Sequence, residues 1–331
     1  MSTELSTSAP TKPARRWRPG SLEVLTAGLV VVLLAQQWIV GLFDSPRLQA
    51  GATIFVAIVV QALPFLVLGV VLSGAIAAFI PASFWQRALP KNSALAVPVA
   101  GCAGAVLPGC ECASVPVAGG LVARGVVPAA ALTFLLSAPA INPIVIASTF
   151  VAFPNNPEMA VARFIASLAT AIIVGMLWLK LGKDKWLRIP RRDHLVGHSN
   201  WHTFRLTAAH DFLHAGGFLV IGGLTAAVLN VLVPQEWLLT LADNPWLSVL
   251  VMATLAVVLS ICSEADAFVA SSLTEFSLTS RLVFLVVGPM VDIKLVAMQS
   301  GTFGKAFASR FAPTTLVVAI VVAVGVGTWL L

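Results

Sequence analysis

The chain has 331 residues, 58% of them hydrophobic and only 10% charged, which excludes a soluble globular domain, since too little polar surface remains to solvate one. The formal net charge of +6 is concentrated in the N-terminal tail, in residues 180 to 192 and in short loops, which is the positive-inside pattern of a membrane protein and not a nucleic-acid-binding face. Four cysteines, Cys102, Cys110, Cys112 and Cys262, all lie in apolar surroundings, which speaks against structural disulfides.

In chain order, residues 1 to 20 read as a disordered cytoplasmic tail rich in Ser, Thr and Pro, with Lys12, Arg15, Arg16 and Arg18 preceding an N-terminal transmembrane helix at 21 to 43. That apolar stretch is too long for a cleaved signal peptide and reads as a signal anchor with a cytoplasmic N-terminus. A helix needs about 20 apolar residues to cross the hydrocarbon. Runs of that length recur at 53 to 80, 128 to 152, 159 to 180, 208 to 233, 279 to 303 and 311 to 331, giving about seven full spans. Trp38, Trp85, Trp178, Trp237, Trp246 and Trp329 fall near the ends of these runs, where an indole N–H stays wet. Residues 182 to 207 form a basic, His-containing cytoplasmic linker.

Two segments, 94 to 123 and 246 to 275, are long enough to span once, yet are broken at Pro108-Gly109 and at Cys262-Ser263. They match each other. Phe65, Gly69 and Pro81 align with Phe218, Gly222 and Pro234; Cys110 aligns with Cys262, Pro139 with Pro289, and Asn142 with Asp292. The chain therefore contains two repeats, 53 to 181 and 208 to 331. A single crossing by 94 to 123 would put Arg124 and the linker's Lys183, Lys185, Arg188, Arg191 and Arg192 outside; a re-entrant hairpin keeps them inside. Three full spans then separate the starts of the copies, so they insert upside down relative to each other, the inverted-repeat plan of secondary transporters. The expected fold is an all-α polytopic membrane protein with about seven full spans plus two re-entrant helical hairpins.

Irregular backbone at membrane depth survives only where protein or a water-filled cavity satisfies it, so the two hairpin tips are expected to meet at a central site. Glu111 lies at the start of one new half-helix; Ser263, followed by Glu264 and Asp266, resembles an N-cap with acidic residues at the start of the other. A carboxylate at a helix start can simply cap it, but an ionisable group at the bilayer centre costs about 2.5–3.5 kcal/mol even on a lenient scale. Function is the preferred reading, with Glu111, Glu264 and Asp266 as proton or cation carriers. Asp292 and Lys294 stand two residues apart and would face different ways on a regular helix. A thiol near a helix start ionises readily and prefers soft ions or trivalent arsenic, which makes Cys110, Cys112 and Cys262 candidate substrate ligands, with Cys110 and Cys112 a candidate metal pair. Cys102 reads as packing. Asn142, between Pro139 and Pro143, and Asp292 are expected to line the same cavity. His194, His198 and His202 recur four apart, as do His210 and His214; His198 and His202 are a weaker metal candidate, against a solvated interfacial loop.

"GCECASVPVAGGLVARGV", "LLSAPAINPIV", "CSEADAFVASS" and "GPMVDIKLVAMQSGTFG" resemble the predicted-permease family that includes bacterial efflux permeases for trivalent organoarsenicals, over residues of about 53 to 325. The resemblance implies a plasma-membrane permease with Cys110 and Cys112 standing where the family carries paired cysteines. Glu111 splits that pair here, which shifts the expected preference towards a cation or adds a proton-coupling group.

These readings point to a multi-pass secondary transporter of the inner membrane, proton- or cation-coupled, moving a small thiophilic solute: a metalloid, an organoarsenical or a soft metal ion. No GxxxxGK[ST] occurs, so the chain is not expected to hydrolyse ATP, and no cofactor is expected. Its partners are the lipid bilayer and a small-molecule or ionic substrate, not nucleic acid; a homo-oligomer is compatible with the pattern. The alternatives are a membrane thiol oxidoreductase cycling Cys110 and Cys112, and a non-transporting metal-sensing subunit.

Overall fold

Proline, glycine and short polar caps decide where the helices of this chain start and stop. The computed structural model describes residues 46–79, 90, 92–105, 111–188, 200–232, 244–263 and 265–331. The expected tail at 1 to 20, the N-terminal helix at 21 to 43, Cys110, Glu264, His194 and His198 lie outside the described residues.

Helix α1 is Pro46–Phe79. Asn92 caps α2, Ser93–Ala103, its side chain accepting from the Ala94 N–H. Helix α3 is Glu111–Ala123 and is followed by Gly125 at φ 86°, a left-handed position open to glycine. Pro128 opens α4, Pro128–Ile141; Pro143 opens α5, Pro143–Ala152, each at a first-turn position where its missing N–H is harmless. Helix α6, Glu158–Leu181, ends at Gly182. After a short 3₁₀ turn at Asp184–Trp186 come α7, Asn200–Leu232, and α8, Pro245–Leu259, the latter capped by Asn244. Then follow α9, Asp266–Ser272, α10, Leu278–Val287, α11, Ile293–Phe303, and α12, Lys305–Leu330. No strand occurs among the described residues.

Five of these helical segments are long and apolar enough to cross a membrane: Leu48–Ile76, Pro128–Ala152, Glu158–Leu181, Asn200–Val228 and Lys305–Leu330. The chain is a multi-pass α-helical membrane protein. Several expected boundaries differ: α1 includes residues from Pro46 where 53 was expected, α12 begins at Lys305 and not at 311, and the run 128 to 152 is divided at Asn142 into α4 and α5. The run 279 to 303, read as one full span, is two helices separated by Gly288 to Asp292, because Pro289 lacks the N–H needed to continue α10. Helix α7 begins at Asn200, so the last residues of the expected linker are helical; their polar character hid a continuous helix that hydropathy starts only at Ala208.

Residues 50–331 form one compact unit, and the same pairings occur among the earlier helices and the later ones. Helix α2 packs on α4 as α8 packs on α10; α4 packs on α6 as α10 packs on α12; α2 touches α6 as α8 touches α12. The two sets interlock reciprocally, α3 lying against α11 and α5 against α9. Helices α6 and α12 run antiparallel, with the Trp178 ring 5.1 Å from Phe307 and 5.9 Å from Phe311.

Gly69 and Gly222, aligned with each other in the sequence, both sit at close approaches. A Cβ on Gly69 would lie 2.5 Å from Cα of Ala113, and one on Gly222 would lie 2.5 Å from Cα of Lys294. Backbone cannot yield as a flexible side chain can. Gly222→Val is therefore expected to destabilise the protein by about 1–3 kcal/mol, whereas Gly217→Ala, where nothing stands within 4 Å, is expected to be neutral or to stabilise by up to about 1 kcal/mol through helix propensity. Thermal unfolding in detergent, followed by Trp fluorescence, reads the difference.

Candidate functional site

The site is built where chain breaks bring ends of helices together. Ser260 ends α8 in a left-handed conformation, φ 49° and ψ 40°, the one non-glycine with positive φ among the described residues. The chain leaves α8 there, and the Ser260 carbonyl accepts a hydrogen bond of 3.0 Å from Lys294 Nζ. Asp292 precedes α11 in an extended conformation and caps it, its Oδ1 accepting from the Leu295 N–H at 2.6 Å. Its other oxygen lies 3.5 Å from Lys294 Nζ. Glu111, in the first turn of α3, pairs with the same ammonium at 2.5 Å. All three charged side chains are at most 3% exposed.

Lys294 is thus a hub, with two carboxylates and one carbonyl converging on three N–H donors. Cys112 follows Glu111 directly and Cys262 comes two residues after Ser260, and both cysteines are buried.

A second charged cluster ties the other break in place. Arg163, fully buried in α6, donates from NH2 to Asp266 Oδ2 at 2.8 Å and to the Ser263 carbonyl at 3.1 Å, and from NH1 to Thr149 Oγ1 of α5 at 2.9 Å. Thr149 donates in turn to the Val145 carbonyl. Asp266 stands in the first turn of α9. The acid in the first turn of each of these two helices is therefore paired with a cation from the other set: Glu111 of α3 with Lys294 of α11, and Asp266 of α9 with Arg163 of α6.

The structure brings Glu111 and Asp292 together on Lys294 and holds Asp266 against Arg163, with Cys112 and Cys262 buried next to these groups in the chain. Asn142 caps α5, with its Oδ1 accepting from the Val145 N–H and its Nδ2 donating to the Ala138 carbonyl, the capping role that Asp292 fills for α11. Two local expectations change. Ser263 does not cap α9: Ala265 occupies the cap position without a side-chain bond. Asp292 and Lys294 do not diverge, because Asp292 precedes the helix and the helical angle between them does not apply. His202 is exposed on α7, and His210 stacks on His214 at 5.8 Å between centroids; among the described residues no three His, Cys, Asp or Glu side chains are grouped to hold a metal ion.

Arg163 is the functional candidate that sequence reasoning missed. Its signal was present: a guanidinium five residues into an apolar run is costly unless paired.

A family model described as "Predicted permease" (ArsP_1) matches residues 47–328, which covers every helix described above but for the first residue of α1 and the last two of α12. The chain belongs to the predicted permease family. The permease is 40% identical over 290 residues to the UPF0718 protein YcgR of Bacillus subtilis, covering 85% of this chain and 97% of that one. It is 33% identical over 282 residues to a Streptococcus mutans protein named "Putative two-component membrane permease complex subunit", covering 83% of this chain and 94% of the relative. No solved structure matches the permease.

Proposed function

We propose that the permease is a secondary transporter that exchanges a small thiophilic solute against protons or a cation at the Lys294 hub. The observation that carries this reading is the convergence of Glu111, Asp292 and the Ser260 carbonyl on one buried ammonium, with the buried Cys112 and Cys262 each within two residues of one of these groups. Two carboxylate oxygens and a carbonyl are a set that a cation would take. The thiols add affinity for a soft metal ion or a trivalent metalloid. Lys294 then acts as an internal occupant, holding the acids until a proton or the solute displaces it.

Charge balance supports coupling to a positive species. Among the described buried groups, three carboxylates, Glu111, Asp266 and Asp292, face two cations, Arg163 and Lys294. One excess negative charge away from water favours uptake of a proton or cation. Cys110 and Glu264 belong to the same proposal by position: each adjoins a residue of the site. Asn142 and Asp292 serve as wall groups that fix the adjacent helix starts.

The recurring pairings, with α3 on α11 and α5 on α9, support the inverted-repeat plan with two re-entrant hairpins. In that plan each tip is tied to the opposite repeat by one ion pair, and rocking of the repeats exposes the hub alternately. A partner subunit fits the naming of the Streptococcus mutans relative and is proposed alongside.

Purified permease in liposomes tests the reading, with trivalent methylarsenical and Ag⁺ as probes under an imposed pH gradient. Probe flux is expected to follow the gradient, and Cys112→Ser and Glu111→Gln are each expected to lower it on the order of 10–100-fold. Gradient-independent flux unchanged in both variants would sink the site. A change in thiol titre without flux would instead identify an oxidoreductase.

A further inference from the structure

The end of α6 and the start of α12 meet beside one indole ring that carries two cations. Helix α6 ends at Leu181, and the turn at Asp184–Trp186 lays Trp186 against Trp178, edge to face at 6.3 Å. Lys183 Nζ lies 5.5 Å from the centre of the Trp186 ring and the Arg310 guanidinium 4.8 Å from it, both within the range of a cation–π contact. The Arg188 N–H donates to the Phe303 carbonyl at 2.8 Å, which ties this turn to the chain just before α12. Arg310 is steadied by its own helix, NH1 donating to the Ala306 carbonyl at 2.7 Å, and its other N–H donors remain for a ligand. Lys180, Lys185 and Lys305 flank the junction in the chain and are exposed, as are Lys183 and Arg310. None of these five forms an ion pair among the described residues. In residues 180–188 and 304–313 the one acid is Asp184, so the chain gathers positive charge here without neutralising it.

Depth and the neighbouring surface say which anion fits. From Arg310 to the exposed Trp329 the helix rises about 28 Å, close to the thickness of the hydrocarbon layer. Arg310 therefore stands at one boundary of that layer, and Lys180, in the last turn of α6, stands at the same one. Arg310, Thr314, Val317 and Val321 follow one another at i, i+4, i+7 and i+11, along a single face of α12. Val317 and Val321 are 61% and 64% exposed. A cationic group at headgroup level, above an apolar lane on the same helix face, suits an amphiphile with a negative head. A free anion would have no use for the lane.

We propose that Lys183, Trp186 and Arg310 form the headgroup site of one anionic phospholipid, whose acyl chain lies along Val317 and Val321 of α12. The guanidinium and the ammonium supply charged donors to the phosphate, and the indole offers an apolar body with a wet edge at the boundary. Such a lipid bridges α6 and α12 at the end where Trp178 packs on Phe307 and Phe311. The site stands apart from the Lys294 hub and does not rest on the transport reading.

Native mass spectrometry of the full chain in mild detergent, titrated with dioleoyl phosphatidylglycerol or dioleoyl phosphatidylcholine, tests it by counting bound lipids. The first phosphatidylglycerol is expected to bind about tenfold or more tighter than the first phosphatidylcholine, and Arg310→Gln and Lys183→Gln are each expected to lower its affinity about fivefold, the effect of one cation at a charged interface. Arg310→Lys keeps the charge and is expected to keep most of the affinity. Val317→Asn combined with Val321→Asn is expected to weaken the lipid without removing a charge, and glycerol phosphate, a headgroup without chains, is expected not to compete at millimolar concentration. Equal affinities for the two lipids, or an equal loss on Arg205→Gln at the exposed surface of α7, would reduce the cluster to diffuse surface charge and overturn the proposal. Competition by glycerol phosphate, with no effect of the two Val changes, would overturn it in favour of a site for free phosphate.

Discussion

Lys294→Met is expected to lower the stability of the permease by about 3–5 kcal/mol, the penalty for leaving buried charges without their partner. The ammonium is within 2.5 Å of Glu111 and 3.5 Å of Asp292, so its removal leaves two facing carboxylates in an enclosed site. Glu111→Gln added to Lys294→Met relieves that repulsion, and the double variant is expected to recover most of the lost stability while remaining inactive in transport. Met keeps the Cα and Cβ that approach Gly222, and the rescue by Glu111→Gln separates the electrostatic part of the loss from any effect of packing. Thermal unfolding in detergent reads the stability and liposome flux reads the activity. A Lys294→Met protein that unfolds like its parent would show that the hub does not hold the two acids, and recovery of flux in the double variant would remove Lys294 from the transport cycle.

The parts of this arrangement that local chemistry controls were legible in the sequence. Asn142 and Asp292, matched with each other in the sequence, both stand at breaks and cap the helices that follow them, while Pro108-Gly109 lies outside the described residues. Other parts depend on partners far away in the chain. Arg163 meets Asp266 across 103 positions, and Lys294 reaches the Ser260 carbonyl across 34. Neither contact follows from periodicity, because both form only when helices distant in the chain pack together: α6 on α9 for the first, and the end of α8 on α11 for the second. The split of 279 to 303 was half legible. Pro289 and Asp292 announced a break, but the apolar composition on both sides of it reads as a continuous span. Asp292 and Lys294 show why that boundary mattered: with Asp292 inside a helix the two side chains diverge, and with Asp292 as the cap they meet.

The second large effect is expected at the Arg163–Asp266 pair, and it is asymmetric. Asp266→Ala leaves a guanidinium that stays protonated under all ordinary conditions, held by only the Ser263 carbonyl and Thr149 Oγ1. That variant is expected to lose about 3–5 kcal/mol with little dependence on pH. Arg163→Met leaves a carboxyl group instead, which can neutralise itself by taking up a proton. Its loss is expected to be smaller than that of Asp266→Ala and to shrink as pH falls, since protonation removes the uncompensated charge. The double variant Arg163→Met/Asp266→Ala is expected to be less destabilised than the sum of the single changes, with a coupling energy of about 0.5–3 kcal/mol. Unfolding measured across a pH series for all four proteins closes the cycle. Losses that add without coupling, or an Arg163→Met deficit that grows on acidification, would mean that the two side chains do not neutralise each other, and α9 would then need another tie to α5 and α6.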